Sequence, residues 1–296
     1  MAKDIKQSAG RHIFNIINYA VLLSLTLVCV IPMINVIALS FSTKAYITAG
    51  LVTLWPKGFN LHSYNYLLQR LEFWQAFKIS GIRLVLGTSV NLFFILLTAY
   101  PLSKESSRFK YRTLYVWIFF ITMLINGGII PAYLLVTRIG LRDTMLALIL
   151  PGALPIFNLV LMINFFRQIP KELEEAALID GAGYVYTLIR IYIPCSMAAI
   201  ATISLFCMVN HWNSWFDGLI YITSSHLRPL QTYLRMVVID MDFTKISMSE
   251  IEQFKVLTDK GLRAVQVVVS IIPILAVYPF LQKYFVKGIV LGSVKG

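Results

Sequence analysis

Four carboxylates crowd one short stretch of an otherwise apolar chain: Glu172, Glu174, Glu175 and Asp180 lie between Arg167 and Arg190, with Lys171 beside them. Neither His nor Cys accompanies them, so the chemistry on offer is electrostatic docking onto a partner that carries basic groups. Pro170 suits a first helical turn, and the acidic residues that follow it place negative charge where the helix dipole favours it. Leu173, Ala176 and Ala177 share one side, and Gly181 comes where a left-handed residue would stop the turn. The spacing predicts a helix of about ten residues with a small apolar side and an acidic side. Two readings fit these residues: a handle for a partner, or a solvated connector between apolar segments.

Other chemistries find little support. Cys29, Cys195 and Cys207 are widely separated, and His12, His62, His211 and His226 are scattered, so neither a disulfide framework nor a metal-ligand spacing is present. A membrane-embedded enzyme, which needs a nucleophile with a base to activate it, is a minor alternative. No G-x-x-x-x-G-K-[ST] loop exists to hold a nucleotide; Gly127-Gly128 runs into Ile-Ile-Pro131, an apolar break. The formal net charge of +12 builds no basic face with interleaved aromatics, so nucleic acid is not an expected partner. Aromatic rings beside amides would suit a sugar, with its apolar faces and many hydroxyls. Asn210, Trp212, Asn213 and Trp215 meet that description, and Asn91, Asn158 and Asn164 are polar within apolar runs. The same residue types also serve as interfacial anchors and as hydrogen-bonding links between membrane helices.

The elements that must position these groups are membrane spans. Hydrophobic residues make up 58% of the chain and charged residues 14%, with a mean hydropathy of +0.73, outside the range of soluble domains. About 20 apolar residues cross a bilayer as a helix, and the chain provides that length six times. The runs are about 13–41, 79–102, 114–136, 145–166, 191–210 and 265–286. The first is too long, and lacks the small-residue exit, for a cleaved signal, so it reads as an uncleaved anchor. If both termini are cytoplasmic, inner segments carry 13 Lys/Arg in 59 residues and outer segments 11 in 102, which favours that orientation. None of the fourteen acidic residues falls inside a span, so a gradient-driven or channel-type transporter lacks its usual midplane carboxylate. Lys78 and Arg83 are expected near the outer boundary, their side chains reaching to water. Helix breaks are expected near Pro131, Pro151 and Pro155. The expectation is one all-α polytopic membrane domain over residues 1–296, multi-pass and in contact with lipid.

Taken together, Glu175-Ala-Ala177, Gly181 and Ile191-Tyr-Ile-Pro194 resemble the E-A-A-x3-G-x9-I-x-L-P signature of permease subunits of bacterial ATP-binding-cassette importers, with Ile193 where Leu is usual. Thr98-Ala-Tyr-Pro-Leu-Ser-Lys104, Asn210-His-Trp-Asn-Ser-Trp-Phe216, Gln282-Lys-Tyr-Phe-Val-Lys-Gly288 and Gly292-Ser-Val-Lys-Gly296 are similar to segments of the maltose and oligosaccharide class. The resemblance implies a type I importer permease (MetI-like) fold in the bacterial cytoplasmic membrane. It implies a second homologous permease forming a heterodimer, two ATPase subunits that hold ATP and magnesium, an extracellular solute-binding protein and a sugar substrate. No cofactor or metal is then expected on this chain, nor catalysis by it. The segment about 170–187 would be the coupling helix, with Glu174, Glu175, Ala176, Ala177, Asp180 and Gly181 docking the ATPase. Gly292, Lys295 and Gly296 would reach toward the same subunit, and the loop about 212–263 would meet the binding protein. An acidic sugar is compatible with the basic residues of that loop.

Overall fold

The computed structural model describes residues 9–125, 127–239 and 257–292, and no strand occurs among them. They fall into two compact units, one drawn from residues 1–69 and 238–272 and the other from 70–237 and 273–296.

The smaller unit begins with α1 (Ala9–Ser40). Its 31 residues from Gly10 are apolar enough to cross a membrane, and the most apolar stretch of it has no residue buried within the chain. Two short helices follow, α2 (Lys44–Thr48) and α3 (His62–Leu68). Phe41 stacks between Phe59 and Tyr64, with ring centroids 5.5 and 4.9 Å away. The Ser40 and Tyr64 hydroxyls lie 2.9 Å apart. Ala38, Ile47 and Val52 form the apolar centre beneath, and Asn35 ties the following loop down by donating to the Thr53 carbonyl at 2.6 Å. The last helix, α13 (Asp259–Gly292), starts in this unit and contains the sixth expected span.

The larger unit is organised around α4 (Leu71–Ser103), the second continuous helix long and apolar enough to span. Its buried residues Arg83, Gly87, Asn91, Ile95, Ala99 and Leu102 recur every three or four positions, so they form one stripe. Small members of the stripe let neighbours approach closely, the usual way helices associate where lipid removes the hydrophobic contrast. Gly87 is the tightest case: a Cβ there would lie 2.5 Å from the His211 ring. Against this stripe pack α7 (Ile156–Arg167) and α11 (Met197–Asn213), through Leu159, Met162, Phe166, Ile203 and Cys207.

The third, fourth and fifth expected spans are bent. α5 (Arg112–Leu124) and α6 (Ile129–Arg138) meet at 113°, where Gly128 adopts φ +86°. Met145–Gly152, wound as two 3₁₀ turns, meets α7 at 51° beside Pro151 and Pro155. These two breaks lie near the prolines expected to cause them. The third is an 85° bend between Tyr184–Cys195 and α11, at Ser196, and has no counterpart in the sequence reading. Pro194, two residues earlier, has no N–H to continue the ladder.

Arg83 corrects another expectation. It does not reach out to water but is 2% exposed and paired with Asp217. Its guanidinium also donates to the carbonyls of Leu148 and Ser214, at 3.2 and 3.3 Å. Asp217 opens α12 (Phe216–Tyr221), so the pair joins α4 to the turns at 148 and 214. A charge this deep needs such a partner and such carbonyls.

Candidate functional site

The acidic stretch folds as α8 (Lys171–Ile179). Pro170 caps it from an extended backbone at φ −55°, ψ 132°, and so stands just outside the helix. The other end is a Schellman motif: Ala182 N–H donates to Ala177 C=O at 2.9 Å and Gly181 N–H to Leu178 C=O at 3.1 Å. Gly181 takes φ +79°, a conformation that costs other residues about 1–2 kcal/mol. After this turn come α9 (Tyr184–Thr187), a π-helical segment (Leu188–Tyr192) and the short turn α10 (Ile193–Cys195).

The carboxylates of α8 face different ways. Glu174 points inward and is 4% exposed, whereas Glu172, Glu175 and Asp180 are exposed. Lys104, the residue after α4, places Nζ 2.8 Å from Glu174 Oε1 and donates to the Tyr192 hydroxyl at 2.8 Å. Tyr192 in turn donates to Glu174 Oε2 at 2.8 Å. The ammonium also sits over the rings of Tyr100 and Tyr192, 3.8 and 4.0 Å from their centroids, a cation–π arrangement strengthened by burial. Burial pushes the Glu174 carboxyl up, but hydrogen bonds from Lys104 and Tyr192 and the charges of Lys104 and Arg108 outweigh it and hold the group below its ordinary value. Burial lowers the Lys104 ammonium, with Glu174 opposing. The arrangement therefore keeps a charged pair where neither group alone would remain charged easily.

At the rim, Arg108 lies 3.0 Å from Glu175 and 3.5 Å from Glu174, and Lys171 pairs with Glu105. The Glu175 and Lys171 pairs are open to solvent and contribute little stability. Beside the cluster is a groove of about 760 Å³, lined by Leu97, Pro101, Phe109, Leu178, Val185 and Leu188 among others. From the last residue of α8 onward the exposed side chains include large apolar ones: Ile179 is 86% exposed and Tyr184 and Val185 are each 69% exposed. Ala176 is exposed and Ala177 half-buried, so the alanines add a small, smooth patch to that surface.

The remaining sequence candidates are dispersed. Asn91 is buried, donating to the Gly152 and Ala153 carbonyls at 2.7 and 2.9 Å and lying 2.8 Å from His211. Asn158 donates to Cys207 Sγ at 3.3 Å, and Trp212 packs edge-on against Phe77. Asn164, Asn210 and Asn213 are exposed, and the Arg235 guanidinium covers the ring of Trp215 at 3.9 Å. Gly292 ends α13; Lys295, Gly296 and the loop acids Asp240, Asp242, Glu250 and Glu252 lie outside the described residues. Among the described residues no group of His, Cys, Asp and Glu could hold a metal ion. Sequence reasoning missed Lys104 and Tyr192 as partners of Glu174, and Asp217 as the partner of Arg83. The only available signals were a lysine directly after an apolar run and a tyrosine inside the Ile191–Pro194 motif.

Long apolar helices bent at prolines and glycines, with one acidic helix anchored by a buried charge pair, fit a permease subunit of a membrane transport system. The chain belongs to the family described as the inner membrane component of binding-protein-dependent transport systems, whose model matches residues 90–291. It is 42% identical to Protein LplC of Bacillus subtilis (strain 168), over 97% of this chain and 96% of that one. It is 39% identical to the polygalacturonan/rhamnogalacturonan transport system permease protein YtcP of the same organism, over 96% and 99%. Among solved structures it matches a chain of a bacterial ABC transporter involved in the import of the acidic polysaccharide alginate. That match has a TM-score of 0.84 and 32% identity, and covers 94% of this chain and 99% of the other.

Proposed function

We propose that this chain is the transmembrane permease subunit of an ATP-driven importer of oligosaccharides, acidic ones in particular. The observation that carries the reading is α8 itself: one carboxylate anchors it inside the chain while Glu175, Ala176 and an apolar continuation stay exposed for a partner. In this reading both termini are cytoplasmic, six spans cross the bacterial plasma membrane, and the segment about 170–187 is the coupling helix. A second homologous permease completes the pathway, and two ATPase subunits dock beneath it. An extracellular binding protein delivers the sugar. ATP and magnesium belong to the ATPases, and this chain carries no cofactor and no catalytic residue. Relatives that handle polygalacturonan and alginate support a uronate-rich cargo. Asn164, Asn210 and Asn213 are the candidates left open toward substrate, since Asn91, Asn158 and Trp212 are engaged within the chain.

Glu175→Lys combined with Gly181→Pro tests the docking surface. The variant should insert into membranes normally, lose the ATPase during gentle purification and lose sugar uptake. Uptake at the wild-type rate would overturn the proposal.

A further inference from the structure

The two halves of the Glu175-Ala-Ala177…Ile191-x-Ile193-Pro194 motif meet through side chains that the motif leaves unspecified. Glu174 is the residue just before it, and Tyr192 is its variable position. Their 2.8 Å hydrogen bond and the shared ammonium of Lys104, 2.8 Å from each, make a closed triangle of three elements. The triangle is buried: the Lys104 and Glu174 side chains are 10% and 5% exposed. One corner is α8, one is the end of α4, and one is the π-helical segment that feeds the bend into α11.

Beyond the triangle, α8 is held by two solvent-exposed ion pairs of little strength, Arg108–Glu175 and Lys171–Glu105. Pro170 and Gly181 make backbone turns at its two ends. Leu173 is 44% exposed and Ile179 86%, so apolar packing, which is non-directional, gives it a weak seat. A directional contact between buried charges and a hydroxyl defines both distance and angle. Glu175 follows Glu174 by one residue, roughly 100° around the helix, and its side chain is 54% exposed. Adjacent carboxylates thus divide the work: Glu174 faces the interior of the chain, and Glu175 sits half-exposed at the rim beside Arg108.

We infer that Glu174, Lys104 and Tyr192 are positioning residues that form the joint passing movement of α8 to α4 and α11. The inference rests on the proposal that α8 docks an ATPase. Without the triangle, α8 would still be held by its partner but would turn against the spans instead of carrying them. The importer would then hydrolyse ATP without moving sugar.

The test uses the complete importer in proteoliposomes with its binding protein and a uronate oligosaccharide, recording co-purified ATPase, ATP hydrolysis and sugar moved per ATP. Glu174→Gln and Lys104→Met should keep the ATPase bound and hydrolysing while sugar per ATP falls about tenfold. Tyr192→Phe, which removes a single oxygen and is the safest for folding, should lower the ratio about threefold to fivefold. Exchanging the charges, Lys104→Glu with Glu174→Lys, should recover much of the loss. A merely structural cluster would reduce the amount of assembled importer and leave sugar per ATP unchanged; that result overturns the joint. If the wild-type chain brings no ATPase with it, or Glu175→Lys leaves attachment intact, the docking reading fails first and the joint with it.

Discussion

Charged residues in apolar surroundings are costly unless paired, and two pairs in this chain show different uses of that rule. Arg83 with Asp217 joins elements far apart in sequence, holding α4 to the turn at Leu148 and to the start of α12. Lys104 with Glu174 holds a short helix that has little apolar contact of its own. For the first pair, removing one partner strands the other, whereas removing both leaves a neutral contact. Arg83→Met should therefore destabilise the purified protein by about 3 kcal/mol, and Arg83→Met with Asp217→Asn should recover more than half of that loss. Thermal unfolding in detergent reads the difference, and equal losses in the single and double variants would show that the pair contributes nothing as a pair.

Among the elements, α8 has a pH dependence that can be predicted. The Glu174 carboxyl is held below its ordinary value of 4.5, burial being outweighed by Lys104, Tyr192 and Arg108. A depressed carboxylate supplies its stabilisation above the unfolded pKa and loses it as the pH falls through the folded one. Amide protection in α8 should therefore be constant from neutral pH down to about 4.5 and decline below it. Glu174→Gln should weaken the protection at all pH values and flatten this decline. Hydrogen exchange followed by mass spectrometry measures it, and a wild-type profile that declines already between pH 7 and 6 would contradict the assignment. The bends at Gly128, at Pro151–Pro155 and at Ser196 belong to this scale too. Each interrupts the regular helical ladder, so such breaks are at home where protein or a watery cavity lies alongside, as Asn91 does for the Gly152 and Ala153 carbonyls.

For the whole molecule, the proposed cargo is acidic while the chain is basic, with a formal net charge of +12. In the reconstituted importer, uptake of a labelled uronate oligosaccharide should be competed by galacturonan or alginate oligomers and not by a neutral maltooligosaccharide at equal concentration. The reverse pattern would remove the acidic assignment while leaving the permease class intact. By itself, the sequence determined the class: apolar length gave the helices, and the spacing of Glu175, Ala176, Ala177, Gly181 and Pro194 gave the acidic helix, its stop and its family. These are local features, set by hydropathy, by the φ that Gly181 allows and by the N–H that Pro194 lacks, so they are legible along the chain. Only the tertiary structure decided which carboxylate faces inward, that Arg83 is buried, and that Asn91 and Asn158 serve contacts between helices. Those outcomes depend on partners 18 to 134 residues away. Helix periodicity cannot place such partners, because distant packing chooses which side of each helix meets which neighbour.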